Sequence, residues 1–255
     1  MANRFLTVLI WAIFTASAGA QSVADKLGPN PTFEEIQALY EVYFQKWVDD
    51  MSAQASLEHP YWPTTPDVEF FPFFQSAAED GVAEAMVWVL ENHGEVELPG
   101  EEMRDLKIHC VNALHELPFE DGHFQTIINT IFFDWNPENS IPWAMADRIL
   151  RQMDQRLPSD DDENHALVLY TRYSVQDSRM TSAADRFALL ILERLAETYP
   201  HTRAGEIASG LIIDKRFLQV GMKAPIFNGN DVDGNPISLS DYRGKVTYLV
   251  FWGFW

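Results

Sequence analysis

From Phe33 to about Arg216, apolar residues recur at helical spacing through most of the chain. In FEEIQALYEVYFQKWVDDM, the positions Phe33, Ile36, Leu39, Tyr40, Tyr43, Phe44, Trp47, Val48 and Met51 form one stripe. An amphipathic helix buries such a stripe along a single face. Thr32 and Glu35 have the spacing of a capping box, which satisfies free N–H groups at the start of the helix. The same periodicity predicts helices at about 76–92, 101–117, 123–134, 142–157, 163–177, 183–199 and 203–216. NHGEVELPG, LPFEDGH, WNPENSIP and LPSDDDEN supply the Gly, Pro, Asn and Asp of short connections between them. Helices joined so closely pack as antiparallel neighbours, so a helical bundle or a short superhelix of hairpins is expected. In ALLILERLAETYPHTRAGEIASGLI, one helix closes at Tyr199-Pro200 and the next starts after Thr202. The second carries Ala204, Gly205, Ala208 and Gly210, where helices can approach closely.

Two stretches break this rhythm. LEHPYWPTTPDVEFFPFF, residues 57–74, holds four prolines and six aromatics, and is read as an ordered loop packed over the helices. An aromatic ligand platform is the alternative reading of that stretch. After Arg216 the period changes to strand and turn. Ala224–Phe227 is extended, Asp233-Gly234-Asn235 turns, Ile237–Leu239 is a short strand, and Ser240–Gly244 is a capped turn. Val246–Trp252 then gives seven β-favouring residues, a strand apolar on both faces that belongs in the middle of a sheet. An unpaired apolar strand of this kind is an aggregation hazard.

Charge divides the chain at the same place. The 18 Lys and Arg against 38 Asp and Glu give −20, whereas residues 217–255 are neutral. The acidity therefore belongs to the helical region. It argues against binding a nucleic-acid backbone, while leaving a basic protein partner open. At the start, MANRFLTVLIWAIFTASAGAQS has one cation, Arg4, an apolar run from Phe5 to about Ala16, and small residues at Ala18-Gly19-Ala20. This is the pattern of a secretory signal peptide over 1–20, with an uncleaved anchor as the alternative. The mature chain is expected to begin near Gln21 and to be exported to the periplasm or cell envelope, soluble after cleavage, with no later membrane span.

The segment VGMKAPIFNGNDVDGNPISLSDYRGKVTYLVFWGFW resembles the opening of the redoxin and TlpA-like branch of the thioredoxin fold. Members of that branch begin G-x-x-A-P-x-F, then D-x-x-G, L-S-D-Y-R-G-K-V and F-W-x-x-W, and continue into Cys-x-x-Cys. The resemblance covers about 36 residues. It implies thiol–disulfide exchange at a helix N-terminus, where free N–H groups and the helix dipole favour a thiolate. Protein thiols or disulfides and an envelope reductant are the implied partners. Trp252 and Trp255 are the implied site-flanking residues, with Trp255 directly before the first cysteine. No catalytic cysteine of the pair lies within the 255 residues, so the chain is read as a fragment, inactive as given. The acidic helical region is similar to the extra N-terminal domain of some exported members. Thioredoxins proper carry a buried acid one residue before the Phe-Trp pair. Val250 stands there instead, which leans toward the TlpA-like branch.

Other candidate chemistry is weaker. Cys110 is the sole cysteine; it follows His109 and precedes His115 by five residues, which is not a one-face helical spacing, so it is read as a structural thiol. No zinc spacing occurs among the seven histidines. HELPFEDGH gathers His115, Glu116, Glu120, Asp121 and His123 across a turn. SDDDEN, residues 159–164, reads as an acidic helix cap, and Asp231-Val232-Asp233-Gly234 as a hairpin turn. Neither metal nor cofactor is expected. A peroxiredoxin site, Pro-x-x-x-Thr/Ser-x-x-Cys, fits F-W-G-F-W poorly. The expected class is α+β: a helical domain over 21–216 followed by the start of a thioredoxin-like domain over 217–255. The other functional reading is an acidic helical binding or scaffold module without catalysis.

Overall fold

The structure, a computed structural model, describes residues 22–55, 61–119, 122–134 and 136–250. The signal-peptide segment, Glu120, Asp121, Trp252 and Trp255 lie outside the described residues. Ten α-helices occur among the described residues. A short α1, Val23–Leu27, precedes α2, Phe33–Gln54, α3, Asp67–Glu79, and α4, Ala83–Asn92. Then come α5, Gly100–Glu116, α6, His123–Phe132, and α7, Trp143–Arg156. The last three are α8, Asp162–Asp177, α9, Ser182–Thr198, and α10, Arg203–Phe217. The Thr32 and Glu35 capping box of α2 is formed in both directions. Asp161, Thr181 and Thr202 each cap the helix that follows them through a backbone N–H. These bonds satisfy donors that have no partner inside the helix.

Residues 61–92 differ from expectation. Instead of a loop over 57–74 and one helix over 76–92, two helices meet at Gly81. Val82 donates to the Ala77 carbonyl and Gly81 to that of Ala78, the two bonds of a Schellman cap. Gly81 has φ +95°, a left-handed conformation that a side chain disfavours. The helix α3 forms even though Pro72 lies inside it. An interior proline costs about 3 kcal/mol through the lost N–H and the clash one turn back. Burying one phenylalanine stabilises by about 1.5–3 kcal/mol. Phe70, Phe71 and Phe74 are 0%, 1% and 1% exposed, so their burial outweighs the proline. Phe74 stacks on Trp88 with centroids 3.8 Å apart, Phe71 lies beside the same indole, and Phe70 meets Tyr40 and Tyr43. The proline-rich approach is tied down where Trp47 Nε1 donates to the Pro63 carbonyl at 3.0 Å.

The chain divides into two compact units, one ending at Ile141 and the other beginning at Pro142. The break falls within WNPENSIP, which the sequence marks only as a connection. In the first unit α3, α4, α5 and α6 pack in sequence around Met86, Val89, Leu106, Cys110, Leu114 and Ile127. In the second α7 packs on α8, and α8, α9 and α10 pack on one another. Their core includes Ala166, Leu169, Ala188, Ile191, Leu192, Leu195 and Ala208. The approach of α10 to the end of α9 is closest at Gly205, where a Cβ would lie 1.9 Å from the Tyr199 carbonyl oxygen.

After α10 the chain makes one antiparallel hairpin of β1, Asn228–Asn230, and β2, Pro236–Ser238. Asn228 pairs with Ser238, Gly229 with Ile237 and Asn230 with Pro236. A 3₁₀ turn, Leu239–Tyr242, follows under a Ser238 and Asp241 capping box. No residue of 216–250 is buried.

Candidate functional site

The segment expected to lead into a redox site is built from the hairpin outward. Asp231 organises its turn: Oδ1 accepts from Asp233 N at 2.9 Å and Asn235 N at 2.8 Å. These bonds, Asn235 first, hold the Asp231 carboxyl below the usual carboxylate range. The acids of Asp231-Val232-Asp233-Gly234 thus shape a turn. Leu239 N reaches back to the Phe227 carbonyl at 3.1 Å, and Lys245 N to that of Tyr242. Of the strand expected over Val246–Trp252, the described part has no strand partner among the described residues, and Val246 and Tyr248 are almost wholly exposed. With three residues each, β1 and β2 offer no edge long enough to pair it. Trp252 and Trp255, expected to flank the site, fall outside the described residues.

Cys110 lies on the buried face of α5, and burial followed by the charge of Glu79 pushes its thiol up to about 12. Such a thiol is almost never a thiolate near neutrality and is a poor nucleophile. His109 is turned to the Ala78 carbonyl, 3.4 Å from Nε2. His115 is buried with Nδ1 3.3 Å from Glu116, while His123 faces the Pro118 carbonyl. Among the described residues no group of three His, Cys, Asp or Glu side chains is placed to hold a metal ion. In SDDDEN, Asp161 caps α8 by accepting from Asn164 N and Nδ2.

Buried charge gathers elsewhere. Lys107 Nζ donates to Asp134 Oδ1 at 2.7 Å and to Asn139 Oδ1 at 3.0 Å. Asp134 Oδ2 accepts from Ile141 N at 2.5 Å. A cavity of about 360 Å³ opens beside this pair, lined also by His93, Asn136 and Glu138. His93 Nδ1 donates to the Leu90 carbonyl, and burial, then Lys107, lowers its pKa. Both oxygens of Asp134 are engaged with the protein, so the cluster fastens the connection after α6 onto α5. In the second unit Asp147 accepts from Arg172 Nε at 2.9 Å and from Arg151 Nη2 at 2.6 Å. These groups escape a reading by motif. Their signal is a lysine and an arginine at helical core positions, Lys107 beside Met103 and Cys110, Arg172 beside Leu169 and Val175, where each demands an acid from elsewhere.

Comparison with known proteins gives short local likenesses to thiol–disulfide oxidoreductases. Over 46 residues the chain is 44% identical to the thiol-disulfide oxidoreductase ResA of Bacillus thuringiensis (strain Al Hakam), and likewise to that of Bacillus anthracis. It is 41% identical over 49 residues to ResA of Geobacillus thermodenitrificans (strain NG80-2). The matched stretches are 18–19% of this chain and 27–28% of those proteins, so the chain spans about a quarter of the length of the curated relatives it matches. No family model matches, and no solved structure matches. Among the described residues no helix is long and apolar enough to cross a membrane.

Proposed function

We propose that this chain is part of an exported thiol–disulfide oxidoreductase of the thioredoxin type, its helical region positioning the enzyme or selecting its partner. The observation that carries this reading is the ordered motif run from Gly221 to Trp255, with which the short likeness to ResA agrees. The redox pair is placed directly after Trp255, at a helix N-terminus that lowers the thiol pKa. Within the 255 residues the one cysteine is the buried Cys110, so this chain alone is expected to reduce no disulfide. Val250, in place of a buried acid, favours the TlpA-like branch over thioredoxins proper.

The test is to read the source gene beyond the Trp255 codon and assay the product for reduction of insulin disulfides. An in-frame Cys-x-x-Cys whose first Cys→Ser variant is inactive supports the proposal. A reading frame that continues without cysteine in the next four codons sinks it.

A second reading has its own observation: no residue of 216–250 is buried, so the described cores are made by the helices alone. On this reading the acidic helical region is a binding or scaffold module. Residues 21–216 expressed alone would then unfold cooperatively as a monomer and retain a basic partner. A molten or aggregated product would count against it.

A further inference from the structure

His165, in the first turn of α8, is held by two acceptors. Its Nδ1 lies 2.7 Å from Asp154 Oδ1 on α7, and its Nε2 lies 3.0 Å from the Pro158 carbonyl in the α7–α8 connection. A neutral imidazole has a single N–H and can satisfy only one of these partners, whereas the imidazolium donates to both. The ring lies parallel to Tyr199 at the end of α9, with centroids 6.2 Å apart. The charged and titratable groups facing it come from each neighbouring element. Asp154 is on α7 and Asp161 caps α8; Tyr199 closes α9 with Arg194 acting on it; Asp162 is paired with His201 of the α9–α10 connection at 2.9 Å. Of these, Asp154 and Asp161 act on the ring itself, whereas Asp162 and Arg194 act on the stacked Tyr199.

We propose that His165 is a proton-operated clamp: its imidazolium joins the end of α7 to the Pro158 carbonyl and holds the 157–161 turn closed, and loss of the proton frees that turn. Burial alone disfavours the charged ring. The hydrogen bonds to Asp154 and Pro158 and the charges of Asp154 and Asp161 outweigh it, raising the pKa above the ordinary imidazole value. A group raised in the folded state adds stability that is complete below its unfolded value, about 6.5, and is lost as pH rises through the folded value. The clamp therefore holds fully below the ordinary imidazole value and slackens as pH rises through the folded midpoint above it. Opening also makes the stretch Asp160 to Glu163 more negative by removing the adjacent cation. None of this depends on the redox reading of the C-terminal segment.

The experiment is an NMR titration of the full chain between about pH 5 and pH 9, the range in which imidazoles change charge. It follows the His165 ring and the exchange protection of the Leu157, Ser159, Asp160 and Asp161 amides, with the urea-unfolded chain as reference. The expected result is a folded midpoint above the unfolded one. Amide protection should fall across that midpoint, by about tenfold for each unit of difference. Asp154→Asn should lower the midpoint, and His165→Gln should remove the inflection in protection. A wild-type midpoint at or below the unfolded value overturns the proposal, as does protection that shows no inflection there; both readouts stand without either variant.

Discussion

Replacing Lys107 with methionine tests the energetics of the buried pair. Side chains of Lys107 and Asp134 are 4% and 5% exposed, so little of either charge is left to solvent. Methionine keeps the apolar stem and removes the ammonium, so that among the described residues Asp134 Oδ1 loses its donor and Oδ2 keeps Ile141 N. Removing one partner of a buried pair costs about 3–5 kcal/mol. Asp134 has one escape, which is to take a proton. Holding a carboxyl of ordinary pKa near 3.9 protonated at pH 7 costs about 4 kcal/mol, and about 1.5 kcal/mol at pH 5. The deficit is therefore capped near 4 kcal/mol at pH 7 and shrinks on acidification. The sign follows from linkage: a carboxylate left unpaired by the substitution is relieved as acid neutralises it, so the deficit falls as pH falls. Urea unfolding followed by near-ultraviolet circular dichroism reads the packed Phe74 and Trp88 rings of the same unit. The double variant Lys107→Met with Asp134→Leu should recover much of the loss, since no charge is left unpaired. A single variant within about 1 kcal/mol of the parent at pH 7, or one whose deficit grows with acid, would refute the reasoning.

Three further outcomes are expected. Gly205→Ala would place its Cβ 1.9 Å from the Tyr199 oxygen and disturb the Thr202 cap, so thermal unfolding should show a loss of about 2–3 kcal/mol; an unchanged melting temperature would mean that α10 shifts freely. Cys110 should react with a disulfide reagent in the native protein only as fast as α5 opens, and at the rate of a free thiol in urea; prompt native reaction would contradict its burial. The Asp231 carboxyl should titrate below the usual range by NMR, with the Asp233 and Asn235 amide shifts following it and the turn loosening only as pH falls through that low value; an ordinary midpoint would show the turn to be open.

The sequence was most legible where a helical period, a cap or a turn is written locally. The helix of the Phe33–Met51 stripe, the acidic cap before α8 and the turn at Asp231 are each set within a few residues, although of that stripe only Ile36 is buried and Phe44 is exposed. The helix α3 was hidden by its prolines, because the gain from three buried phenylalanines comes from Trp88 and Tyr40, which are distant in sequence. Gly81 did carry a local signal for the break, and the helical period on either side masked it. Lys107 and Asp134 lie 27 residues apart on different elements, so no spacing rule joins them. Of the candidate redox site, the motif run is legible only as a resemblance, and Trp252 and Trp255 lie outside the described residues.

Nearly all of the helix packing described above is between elements close in the chain: α3 with α4, α7 with α8, α8 with α9, and α9 with α10. Such topologies close only short loops before contacts form, and domains built from them fold in microseconds to milliseconds. The unit ending at Ile141 contains its own core, so it can complete folding while later residues are still being made. The exposed apolar stretch at Val246–Val250 is made after all ten described helices, so those helices can already be closed when it appears.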